Sequence, residues 1–134
     1  MKKMFFSTLA LIMLAVTFQS AAPKDDEQVM TKEGNTYVVN TTTLGKDVIG
    51  YQGATPLKVY INKNKVEKVE FLSCQETPKY YSRVKKELGN KWDGQKVKDA
   101  SKLKVDAVTG ATFSSEAVIK NIQLALDYYQ KNKK

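Results

Sequence analysis

Val118, Ile119, Ile122, Ala125, Leu126 and Tyr129 recur at the three- and four-residue spacing of one helix face, and this stripe constrains the fold more than any other feature. Lys120, Asn121, Gln123 and Lys131 fall mostly off it. A helix that is apolar on one side needs a second layer to cover that side. The chain offers one upstream. Leu57, Val59 and Ile61 alternate with Lys58 and Tyr60, the period-two signature of a half-buried strand. The β-branched and aromatic run "TYVVNTT" from Thr36 predicts another strand. "NKNK" at 62–65 is turn chemistry, and "VEKVEFL" from Val66 is a plausible hairpin partner. In an ideal strand Val66 and Val69 would sit on opposite pleats, so the alternation there is only approximate.

After Pro78 the period changes. Tyr80 or Tyr81, Val84 and Leu88 recur at helical spacing, and Gly89 supplies a stop. The turn-rich stretch from Asn90 has Trp92 as its apolar anchor. Strands, a helix, a loop and a final helix, with no internal repeats, predict a single small α+β domain. Its expected form is an antiparallel sheet packed with two main helices. The domain is expected over 36–134, after a polar and flexible lead-in at 23–35.

The first 22 residues have a different character. Lys2 and Lys3 precede the uncharged apolar run "MFFSTLALIMLAVTF", and small residues follow in "QSAAP". This is the layout of a secretory signal peptide. An uncleaved anchor is the competing reading, because Met4 to Ala22 approaches the roughly 20 residues of a spanning helix. Either reading places the domain outside the cytoplasm, in the periplasm or on the outer face of the cytoplasmic membrane.

Composition narrows the chemistry. The chain of 134 residues has no histidine and one cysteine, Cys74. Ser/His/Asp triads, Cys/His dyads and the common zinc sites are therefore excluded together. No internal disulfide can form. Redox or group-transfer chemistry would need a cofactor. The net charge of +8 falls to +6 without Lys2 and Lys3. The remaining lysines are scattered and accompany no nucleic-acid motif, so solvated faces explain them better than a nucleic-acid partner.

Before the final helix stands "VDAVTGATFSSEAVIKNI", residues 105–122. Thr, Ser and Asp are favoured helix caps, so this hydroxyl-rich turn has an ordinary explanation. The same turn could cradle an anion. A helix start presents free N–H groups and partial positive charge. Gly110 and Ala111 would keep the approach open, and Thr109, Thr112, Ser114 and Ser115 would donate hydroxyls. A third possibility is covalent attachment.

"DAVTGATFSS" (Asp106 to Ser115) resembles the Asp-x-x-Ser/Thr-Gly-Ala-Thr motif of the FMN-binding domain family. That family includes the C subunit of the sodium-translocating NADH:quinone reductase and the G subunit of the Rnf complex. "GYQGATPLKVYINKNKVEKVEF" is similar to its Gly-Tyr-x-Gly entry and two strands, and Glu76-Thr77-Pro78 to its Glu-Thr-Pro segment. The resemblance covers residues 45–127. It departs after Pro78, where the family continues with a Gly-rich stretch and this chain has "KYYSRVKKEL".

The resemblance implies specific roles. Thr112 would carry FMN through a phosphoester, attached by a flavin transferase that uses FAD as donor. Ser114 and Ser115 would cap the helix and help hold the phosphate, while Gly110 and Ala111 would allow a bulky enzyme and cofactor to approach. Asp106 would act chiefly during attachment. Glu76 and Thr77 would lie near the flavin or its phosphate. Tyr51, Tyr80, Tyr81, Trp92 and Phe113 are candidates to pack the ring, although such residues are often core. The implied function is extracytoplasmic electron transfer with a membrane or exported redox partner, rather than an enzyme on its own. The alternative is a flavin-free exported binding module that holds another anionic ligand at the helix start. A Ser/Thr hydrolase is disfavoured, since neither a histidine nor a lysine dyad is evident.

Overall fold

The computed structural model describes residues 28–134. The expected signal peptide or anchor, and the lead-in as far as residue 27, lie outside the described residues. A four-stranded antiparallel sheet in the order β1-β2-β3-β4 forms one layer. Its strands are β1 (Met30–Glu33), β2 (Thr36–Asn40), β3 (Leu57–Asn62) and β4 (Lys65–Phe71). Helices α1 (Thr41–Leu44), α2 (Pro78–Leu88), α3 (Val97–Ala100) and α4 (Thr112–Asn132) complete the α+β domain.

β1 corrects the expected lead-in. Met30–Glu33 pairs with β2 through a turn at Gly34, whose φ of 64° suits glycine. Its burial is slight, because it is a polar edge strand. The β3–β4 hairpin turns at Lys63 and Asn64 with φ of 55° and 62°, the doubly left-handed geometry that matches strand twist. The two valines of β4 are reconciled by a bulge. Val59 pairs with Val69 and Tyr60 with Lys68, but Ile61 pairs with Val66, leaving Glu67 as the extra residue. The shift brings Val66 into the core and leaves Val69 packed against it.

The core lies between the sheet and the helices. Val39, Leu57, Val59, Ile61 and Val66 from the sheet share one buried cluster with Val118, Ile122, Ala125 and Leu126 from α4. Each fully buried aliphatic side chain contributes about 1.5–3 kcal/mol relative to exposure. α2 adds Tyr81, Val84 and Leu88, which resolves the tyrosine choice: Tyr81 is buried and Tyr80 is exposed. Trp92 is buried as expected.

One residue of α4 departs from the sequence pattern. Asn121, expected off the apolar stripe, is fully buried and donates through Nδ2 to the Thr55 carbonyl and hydroxyl, both at 2.9 Å. These bonds tie α4 to the segment leading into β3. Thr41 does the same from α1, with its hydroxyl donating to Leu57 O at 3.2 Å and accepting from Leu57 N–H at 3.0 Å. Together they fix the base of the connection from Gly45 to Pro56, which reaches the site. Among the described residues no helix is long and apolar enough to cross a membrane.

Candidate functional site

The start of α4 is left chemically open. Its N-cap is Ala111, with φ −141° and ψ 46°, and no side chain caps the helix. Thr112, Phe113 and Ser114 therefore present N–H groups without an intrahelical acceptor. Ser115 N–H is the first of the turn to find one, Ala111 O at 3.0 Å. Gly110 precedes them at φ 85°, a conformation that a side chain would strain. The Arg83 guanidinium braces this turn by donating from Nη2 to Thr109 O at 2.8 Å.

The serines do not play the capping role expected of them. Ser115 is fully buried; its hydroxyl accepts from Val108 N–H at 2.9 Å and donates to Ala111 O at 2.7 Å. It closes the loop behind the helix start and faces away from solvent. Ser114 is also buried, and its hydroxyl donates to the Glu76 carboxylate. Of the hydroxyls on the first turn, Thr112 alone is exposed.

Glu76 is 4% exposed and saturated by its own chain. Oε1 accepts from Tyr51 N–H at 2.9 Å and from Ser114, while Oε2 accepts from Gln52 N–H at 2.5 Å and Gly53 N–H at 3.0 Å. Burial pushes this carboxyl's pKa up, but the Ser114 hydroxyl and the three backbone N–H groups outweigh it and hold the group below its ordinary value. Glu76 therefore sits behind the site, whereas its neighbour Thr77 lines it.

Tyr51, Thr77, Tyr80, Gly110, Ala111, Thr112, Phe113 and Ser114 enclose a cleft of about 430 Å³, within the usual size of small-molecule sites. Three of its walls are exposed aromatics: Tyr51 (64%), Tyr80 (41%) and Phe113 (64%). The other two aromatic candidates belong to the core. Trp92 and Tyr81 are buried, and burial first, then Cys74 and Glu76, pushes the Tyr81 phenol pKa upward. The cleft thus combines open N–H groups, an accessible hydroxyl and flat apolar walls. Among the described residues no carboxylate lines it, so an anionic phosphate attached to an aromatic ring fits the donor set.

The motif's acid is separated from this cleft. Asp106 and Thr109 line a second groove with Leu103, Lys104, Val105 and the C-terminal end of α2. Asp106 is exposed there. Sequence reasoning missed Arg83, Asn121 and the loop partners of Glu76. Nothing local marks them, since their partners lie 26, 66 and 23–25 residues away.

No curated protein and no solved structure matches the chain. The model of the FMN-binding domain matches residues 50–127, more than half of it, and spans the cleft, Glu76 and most of α4. The chain therefore belongs to the FMN-binding domain family, and is by that membership an FMN-binding protein.

Proposed function

We propose that this FMN-binding protein is an exported electron carrier whose FMN is joined through its phosphate to the Thr112 hydroxyl by a flavin transferase. The observation that supports this most is the contrast within one helical turn. The Ser114 and Ser115 hydroxyls are buried and engaged, while Thr112, the other hydroxyl-bearing residue of that turn, is exposed and lines the cleft. With FAD as donor, the Thr112 oxygen would form the new bond to phosphorus, lose its proton, and release AMP. Asp106 is exposed in the neighbouring groove, a position suited to contact with the transferase rather than with the bound flavin.

When bound, FMN supplies reversible one- or two-electron chemistry. The chain's own residues would bind and orient it. The N–H groups of Thr112, Phe113 and Ser114 would hold the phosphate at the positive end of α4. Gly110 and Ala111 keep that approach free of bulk. Tyr51, Tyr80 and Phe113 would pack the ring and exclude water from it. Among the described residues the lining holds no carboxylate or lysine to serve as general acid or base, which favours a carrier over an enzyme acting on an organic substrate. Export rests on the charged start, apolar run and small residues of the N-terminal segment. It implies a membrane or exported oxidoreductase as redox partner.

The test is to produce the full chain with and without an active flavin transferase, in cells that are then fractionated. The expected result is a fluorescent band on a denaturing gel only when the transferase is present, recovered outside the cytosol. A band-free, cytosolic protein would refute both halves of the proposal.

A further inference from the structure

We propose that Glu76 is a positioning residue: its carboxylate latches the 50–53 tip, and the Tyr51 side chain with it, against the first turn of α4, and so sets the width of the cleft. The tip is a small hairpin. Ile49 bridges to Ala54, and Gly50 N–H donates to Gly53 O at 2.8 Å. Its three successive N–H groups, from Tyr51, Gln52 and Gly53, converge on the two Glu76 oxygens at 2.5–3.0 Å. The fourth donor is the Ser114 hydroxyl, on the helix whose first residue is Thr112.

A carboxylate offers about four acceptor sites, and four donors occupy these two oxygens. Glu76 is 4% exposed and absent from the cleft wall, so it contacts the tip and the helix rather than a ligand. Gly50 is shaped to admit it. A Cβ there would come within 2.6 Å of Oε1. The tip carries Tyr51, which is 64% exposed and lines the cleft. The carboxylate thus joins two cleft walls that the sequence separates by more than 60 residues: Tyr51 on one side, Thr112 to Ser114 on the other.

The latch itself requires no ligand; only its effect on the flavin rests on the proposed function. The first measurement is therefore amide hydrogen exchange on the full chain without flavin. Glu76→Gln keeps the side chain's shape but replaces one acceptor oxygen with a donor. Tyr51, Gln52 and Gly53 amides should exchange about tenfold to 100-fold faster, the equivalent of one hydrogen bond to a charged group. Val59 and Ile61 in β3 should keep their protection. Gly50→Ala, which displaces the carboxylate without altering it, should reproduce the pattern should Glu76→Gln fail to fold. Parental exchange of the three amides in a folded variant would overturn the latch.

The second measurement uses flavin-loaded protein. An electron-rich phenol against an isoalloxazine ring quenches its fluorescence, so Tyr51→Leu should brighten the flavin. Glu76→Gln should brighten it as well, with the covalent mass retained, and the double variant should add nothing further. An unchanged flavin in Glu76→Gln, or in Tyr51→Leu, would overturn the positioning role. If the parent takes up no flavin at all, the proposed function fails while the exchange measurement still decides the latch.

Discussion

The two ends of α4 meet their surroundings in opposite ways. At the C-terminal end, Tyr129 is buried, donates its hydroxyl to Asn64 Oδ1 at 2.6 Å and meets the Tyr37 ring edge-on at 5.2 Å. Lys133 Nζ donates to the same Asn64 oxygen at 3.2 Å, and Tyr37 donates to Lys134 O at 2.8 Å. At the N-terminal end, the cap position holds an alanine and the first N–H groups have no acceptor within the helix. Side-chain contacts hold both ends, but at the N-terminal end Ser114 and Ser115 bond to Glu76 and to the preceding loop and leave the first helical N–H groups open. A helix start left uncapped forgoes about 0.5–2 kcal/mol, which core burial along the same helix readily offsets.

That contrast is broken most severely from the anchored end. Tyr129→Ala should cost about 3–5 kcal/mol, as for other large buried aromatics, read as a lowered urea midpoint. The flavin content of the folded fraction should be unaffected. A loss of flavin without a loss of stability would mean that the two ends are not separable in this way.

A smaller effect is expected behind the open end. Glu76 has a folded pKa below its ordinary value of 4.5. Its stabilising contribution is therefore complete above that value and disappears as the pH falls through the folded pKa. Glu76→Gln should cost about 1.5–3 kcal/mol at neutral pH, the range for hydrogen bonds to a charged group. Its deficit should shrink in acid, until the parent and variant denaturation curves approach one another below the normal glutamate range. A deficit that stays constant from pH 7 to strong acid would show that the charge of Glu76 contributes nothing.

The smallest effect comes from capping the open end. Ala111→Ser places a hydroxyl at the N-cap and should raise the stability of the flavin-free protein by about 0.5 kcal/mol. The same hydroxyl would engage the N–H groups offered to the phosphate, so flavin loading should fall. A variant that gains stability and loads as fast as the parent would contradict the assignment of those N–H groups.

Where the architecture follows from periodicity, it was legible. The α4 stripe, the β3 alternation and the choice of Trp92 as an anchor depend on local spacing and on burial of apolar side chains, and all appear in the fold. β1 was missed because Met30–Glu33 is a polar edge that takes its structure from pairing with β2. The place of Val66 was obscured by a bulge that a strict period of two cannot anticipate. At the site, the motif located the turn, but not the direction of its hydroxyls. The motif implies capping by Ser114 and Ser115, yet both point into the protein, toward Glu76 and toward the Val108–Ala111 loop. Asp106 shares the motif with Thr112 but lines a different groove. These outcomes depend on contacts between segments far apart in sequence, which composition and spacing do not encode.

The central claim is that Thr112 is the side chain to which the flavin is joined, and peptide mapping of Thr112→Val beside the parent tests it most directly. A phosphoester requires a hydroxyl, and valine keeps the shape of threonine without one. Both proteins would be made with an active flavin transferase, digested, and mapped by mass and flavin fluorescence. One fluorescent peptide containing Thr112 is expected in the parent and none in Thr112→Val, with the fold retained. Covalent flavin persisting in Thr112→Val, on Thr109, Ser114 or Ser115, would contradict it.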